Sequence, residues 1–232
     1  MLKTDSFLTD IQQKLKGKLP GDDAHNKVVS YNRITPQQAI KTGRNPKQSA
    51  VLILLYKADN TWSFVLTRRK EYQGVHSKQI SLPGGKIEEK DSNLQQTALR
   101  ETQEEIGVNS QSIQILGKLT SLYIPPSNFI VQPFVGFIDY KPTFVLEEKE
   151  VAEIITIPVP RIWDDDVIKK TNVIVGDNMK IRVPYFDLKG HVVWGATAMV
   201  LSEFQSLTIK SRTDKNRKYL LKSTQLLEED VV

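Results

Sequence analysis

The chain has 232 residues, of which 39% are hydrophobic and 25% charged, with a formal charge of +5 and no cysteine. That length can bury a substantial core, in one large domain or a domain with extensions. The absence of thiols excludes disulfides, thiolate nucleophiles and thiolate metal sites.

Residues 1–48 read as an N-terminal extension. Its first stretch, MLKTDSFLTDIQQKLKGK, is amphipathic and carries acidic residues, unlike the apolar core of a signal peptide. A short helix is expected around Phe7–Leu15, stopping near Gly17 and Pro20–Gly21. The longest apolar run, AVLILLY at 50–56, falls far short of the roughly 20 residues of a membrane span. These features lead us to expect a cytoplasmic protein without a membrane partner.

SAVLILLY (49–56) is short enough for a strand buried on both faces, and KADNT then reads as a hairpin turn into a second strand, WSFVLTR (62–68). QISL (79–82) is a further strand, ending at Pro83–Gly84–Gly85. Beyond a central helix, strands are expected at 112–123, 129–139 and 153–157, with weaker signals at 171–175 and 180–187. Helical spacing returns over 195–208, GATAMVLSEFQSLT. Strands on both sides of a central helix, with a second helix late, point to an α/β (α+β) fold. The expected architecture is an α/β/α sandwich around a mixed sheet, as one domain over 49–208. Residues 209–232 read as a basic tail or helix, with Lys210, Arg212, Lys215, Arg217, Lys218 and Lys222 crowded over 210–222 against a lone Asp214 in that stretch. No aromatic interleaving or groove-reading motif accompanies these charges, so a solvated tail is expected and no nucleic-acid partner. The extension and the late strands offer surfaces for a homodimer.

The central helix spans about Asn93–Ile106, with a capping-box pattern at Ser92 and Gln95 and a left-handed stop at Gly107. Leu94, Ala98, Leu99, Thr102 and Ile106 share its buried arc. Glu101 and Glu105 fall at the edge of that arc, and Glu104 lies one step further out. Carboxylates beside a buried stripe are partly desolvated and repel one another unless a cation neutralises them. Two readings stand: a glutamate-rich surface helix, or a site for a hard divalent ion such as Mg²⁺, which prefers carboxylate oxygens, water and phosphate. The Gly-Gly turn before the helix adds a backbone that can approach an ion closely, with the Gly85 carbonyl as a further ligand.

The stretch GGKIEEKDSNLQQTALRETQEEIGV resembles the Nudix box, G-x5-E-x7-R-E-U-x-E-E-x-G-U with U aliphatic. Arg100, Glu101, Glu104, Glu105, Gly107 and Val108 match it, while Thr102 stands in an aliphatic position. Asp91 stands where the motif has Glu, and the spacing to Arg100 is one residue longer. The resemblance implies the Nudix fold and hydrolysis of a nucleoside diphosphate linked to another moiety, with Mg²⁺ or Mn²⁺. It implies that Glu101 and Glu105 hold the metal, with Glu104 as a further ligand or catalytic group, and that Arg100 orients the glutamates. Glu150 is the first choice for a general base, with Glu147 and Glu148 as rivals.

The segment 66–85 is similar to the one preceding the box in coenzyme A pyrophosphatases. Leu66, Thr67, Arg69, Pro83, Gly84 and Gly85 agree with that subgroup, whereas Val65, Lys70, Gly74, Lys78 and Leu82 depart from it. The implied reaction converts coenzyme A or a derivative to 3′,5′-ADP and 4′-phosphopantetheine; the departures leave ADP-ribose, NADH or a nucleotide sugar as alternatives. A regulator that binds nucleotides without cleaving them is a further alternative, against which the three glutamates speak. Arg68, Arg69, His76 and Lys78 are candidate contacts for the small-molecule nucleotide, and Phe129 a candidate stacking platform. His25, His76 and His191 show no ligand spacing to one another.

Overall fold

The computed structural model describes residues 5–29, 34–71, 79–175 and 179–209. His76, Lys78, Gly74 and the basic residues of 210–222 lie outside them. In chain order the helices are α1 (Ser6–Leu15), α2 (Asp22–His25), α3 (Pro36–Lys41), α4 (Leu94–Ile106) and α5 (Gly195–Thr208). The strands of the main sheet are β1 (Lys47–Ala58), β2 (Thr61–Arg69), β3 (Ile80–Ser81), β4 (Gly84–Lys86), β5 (Gln114–Lys118), β6 (Leu122–Ile124), β7 (Phe129–Phe137) and β8 (Val151–Pro158). β9 (Ile168–Val175), β10 (Met179–Leu188) and β11 (His191–Val193) complete the chain order.

The first hairpin forms because Asp59 and Asn60 accept positive φ, 48° and 63°, the two-residue turn whose twist matches its flanking strands. β1 then pairs in parallel with β7 and antiparallel with β2 and β4. β3 and β8 pair with β2, and β5 and β6 with β7, so the sheet is mixed. The apolar run of β1 serves two cores by strict alternation. Ile53 and Leu55 join Phe64, Leu66 and the apolar faces of α1 and α5 on one side. Ala50, Leu52, Leu54 and Tyr56 join Ala98, Leu99 and Ile106 of α4 on the other. This is the expected α/β/α sandwich around a mixed sheet.

The structure differs from the sequence reading in two places. The segment 112–123 is two strands, because the N–H of Thr120 donates to the Glu203 carboxylate (3.1 Å) instead of continuing a ladder. β9, β10 and β11 do not extend the main sheet but make a separate antiparallel one, attached through Phe186, Leu188 and Val193 to the core beneath α5. Among the described residues no helix is long and apolar enough to cross a membrane.

Candidate active site

The site is built on β4, on the loop 87–93 and on α4. The side-chain oxygen of Asn93 accepts from the N–H groups of Gln95 (2.9 Å) and Gln96 (3.1 Å), so Asn93 caps the helix, one residue later than the box read at Ser92. Asp91 is why. Its carboxylate accepts from the Glu88 N–H (2.9 Å) and the Thr97 hydroxyl (3.0 Å), which pins the loop and fixes where the helix begins. At the other end Gly107 adopts φ 74° and its N–H donates to the Gln103 carbonyl (3.0 Å), as the sequence led us to expect.

Arg100 is committed on every side. Nε and Nη2 donate to Asp91 in a two-pronged pair, both at 2.9 Å. Nη1 donates to Glu101 and Glu104, each at 2.8 Å, and Nη2 also reaches the Lys86 carbonyl (3.1 Å). The guanidinium hydrogen bonds hold the Asp91 carboxyl well below the usual carboxylate range. Arg100 therefore fastens the loop to the helix and aims two glutamates. Asp91 is the residue that sequence reasoning missed; the available signal was its position in the Glu slot of the motif.

Glu105 is nearly inaccessible, with 3% of its surface exposed. Its carboxylate accepts from the Gly84 N–H (3.3 Å) and lies 3.9 Å from Nη2 of Arg69. Burial raises its pKa to about 8, because Arg69 and the Gly84 N–H offset only part of the desolvation and Glu101 and Glu150 add repulsion. Desolvation also raises Glu101, against the opposing pull of Arg100. The two glycines let the strand approach. Gly84, at φ 151°, has no room for a Cβ against the Ala50 carbonyl, and a Cβ on Gly85 would overlap the Glu101 carboxylate.

A divalent cation fits this donor set. Among the described residues no three acidic or histidine side chains converge into a ready-made cage, since Arg100 draws Glu104 outward, where Lys90 also reaches it (3.3 Å). Mg²⁺ needs no such cage: one or two carboxylates suffice when water and substrate phosphate complete the shell. Glu101 and Glu105 supply two mutually repelling carboxylates over a glycine backbone, and Arg100 and Arg69 offset their desolvation only in part.

The family model of the NUDIX domain matches residues 46–168, more than half of the chain. The chain belongs to the Nudix hydrolases. It is similar to an uncharacterized Nudix hydrolase, NudL, of Yersinia enterocolitica, at 32% identity over 183 residues, covering 76% of this chain and 89% of that protein. It is also similar to Nudix hydrolase 3 of Caenorhabditis elegans, at 36% identity over 143 residues; that match covers 60% of this chain and spans only 57% of the worm protein. A solved Nudix hydrolase from M. smegmatis, RenU, shares the fold with a TM-score of 0.50 at 13% identity, over 71% of this chain and 87% of that one. As a Nudix hydrolase the protein is a pyrophosphohydrolase of a family that works with divalent metal ions.

The remaining expected residues of this Nudix hydrolase separate into two groups. Arg69 meets the glutamates, donating to the Gly84 carbonyl (3.3 Å) as well as standing by Glu105. Glu150 sits near enough to raise both Glu101 and Glu105, its backbone carbonyl held by the Lys70 N–H (2.8 Å). Of its rivals, Glu147 holds its backbone N–H on the Glu105 carbonyl (3.1 Å). Arg68 is directed instead to Glu153 on β8 (2.9 Å), which also lies 3.9 Å from His191. The alternation of β2 separates Arg68 from Arg69, and the Arg68–Glu153 pair explains why only one of the two reaches the carboxylates. Phe129 opens β7, opposite Lys47 of β1 and Ile124 of β6. A cavity of about 620 Å³ lined by Lys18, Asp23, Trp163 and Asp164 shares no residue with this cluster.

Proposed function

We propose that this Nudix hydrolase cleaves the pyrophosphate bond of coenzyme A or a derivative, releasing 3′,5′-ADP and 4′-phosphopantetheine. One observation carries the reading: Arg69, Gly84 and Gly85, which agree with the coenzyme A pyrophosphatase pattern, are the residues that gather around Glu101 and Glu105.

In this reading Glu101, Glu105 and the Gly85 backbone hold Mg²⁺ or Mn²⁺, with Glu104 at the margin. When bound, the cation neutralises the pyrophosphate and activates water toward it. The chain's own groups do the rest. Arg100 keeps Glu101 aimed, Arg69 contacts a phosphate, and Glu150 takes the proton from the attacking water. The departures from the subgroup pattern at Lys70 and Leu82, beside Arg69 and Pro83, favour a second reading in which the second moiety differs, as in ADP-ribose, NADH or a nucleotide sugar.

Product analysis by mass spectrometry distinguishes them. The protein with Mg²⁺ or Mn²⁺ is given coenzyme A, ADP-ribose and NADH, with Glu105→Gln as control. Release of 3′,5′-ADP and phosphopantetheine, lost in the variant, is the expected result. Preferred cleavage of another substrate would replace coenzyme A while keeping the chemistry.

A further inference from the structure

We propose that Arg69 is the resident counter-ion of Glu105: it occupies the place of positive charge in the metal-free site, competes with the cation, and is passed to a substrate phosphate when the cation arrives. The inference rests on the reading that Glu101 and Glu105 hold that cation.

The geometry of the two arginines at the site carries it. Arg100 donates to Asp91, Glu101, Glu104 and the Lys86 carbonyl, an arrangement that leaves no donor to lend. Arg69 is held far more loosely. Its described partners are one neutral carbonyl, Gly84 at 3.3 Å, and one carboxylate oxygen, Glu105 at 3.9 Å, too far for a charge-assisted hydrogen bond. Its side chain is 29% exposed, against 4% for that of Glu105, so part of the guanidinium arm remains open to solvent. The strand delivers it there: the β2–β8 register shifts between Arg68 and Arg69, an irregularity of the kind that re-aims side chains beside active sites.

Charge then sets the sequence of events. A divalent ion on Glu105 repels a guanidinium within a few ångströms and takes over its neutralising role. Arg69 loses little, since the side-chain hydrogen bond it makes among the described residues is to a neutral acceptor, the Gly84 carbonyl. A phosphate bound beside the cation offers two oxygens to the planar fork of the guanidinium.

The test is Mn²⁺ binding to metal-free protein by calorimetry at about pH 8.5, where Glu105 is ionised and a counter-ion is needed, and it reads the site without turnover. Arg69→Gln should bind Mn²⁺ about fivefold more tightly than the unaltered chain. Arg69→Lys, which keeps the charge, should stay within about twofold. Arg161→Gln, which removes equal charge from a pair with Asp164 and Asp166, should leave Mn²⁺ affinity unchanged. With the substrate identified by product analysis, Arg69→Gln should raise KM about tenfold and keep kcat within about threefold. Arg69→Ala serves as a second charge-free variant should the glutamine one not fold. Unchanged or weaker Mn²⁺ binding by folded charge-free variants overturns the counter-ion role, as does a fall in kcat at unchanged KM. No Mn²⁺ binding by the unaltered chain would sink the metal reading and this inference with it, a failure distinct from equal affinities.

Discussion

Glu105 shows how one side chain records what its surroundings need. Desolvation raises its pKa to about 8, and the Arg69 charge and the Gly84 N–H fall short of compensating. A carboxyl that titrates near 4.5 in the unfolded chain and near 8 in the folded one favours folding while protonated. That contribution is complete below about pH 4.5 and is lost as the pH rises through 8. In chelator, the melting temperature of the protein should therefore fall between about pH 5 and pH 9. Glu105→Gln should flatten that slope and raise stability at the alkaline end, and Mg²⁺ at pH 8 should restore the unaltered protein but not the variant. An identical slope in both chains, measured by calorimetry, would remove Glu105 as its source. Position 105 was legible in the sequence as a carboxylate at the edge of a buried arc; its near-complete burial was not, because that depends on the Gly84 turn covering it.

The helix that carries Glu105 was legible in length and in its end, and was misplaced by one residue at its start. Ser92 and Asn93 are both competent caps, so local propensity does not choose between them. The choice falls to Asp91, tied to an arginine nine residues later that the cap rules do not consider. Asn93→Ala should lower stability by about 1 kcal/mol, a fall of about 2–4 °C in melting temperature for a chain of this size. The same substitution at Ser92 should cost much less. Equal losses at the two positions would restore the cap to Ser92. The 112–123 stretch failed for a related reason: the Glu203 carboxylate, 83 residues away in sequence, takes the Thr120 N–H and interrupts the ladder there.

Glu203 is also the tie that joins distant parts of the molecule. Fully buried, it accepts from His25 Nε2 (3.0 Å), the Gly21 N–H (3.2 Å), and the N–H and hydroxyl of Thr120 (3.1 and 2.7 Å). It thereby links α5 to α2 and to the junction of β5 and β6. Desolvation pushes its pKa up, but the hydrogen bonds from His25 and Thr120 outweigh it and hold the carboxyl below its ordinary value. A depressed folded pKa stabilises the protein above about pH 4.5, and that stabilisation is lost as the pH falls through the folded value. Glu203→Gln should cost about 3 kcal/mol at neutral pH and make the acid side of the stability profile shallower. A variant that melts with the unaltered chain at both pH 7 and pH 4 would show that the cluster carries no weight.

The sequence by itself determined the sandwich, the carboxylate helix and the family, because each rests on short-range pattern: alternation in β1, a 3.6-residue period in α4, and fixed spacings from Gly85 to Gly107. Only the tertiary structure decided which charges meet. Arg68 and Arg69 are adjacent in sequence and go to different partners, Asp91 and Arg100 close a loop across nine positions, and Glu203 splits a strand from the other end of the chain. Electrostatic partnership depends on distance in space and on what is desolvated at that distance. Neither quantity is written in local order.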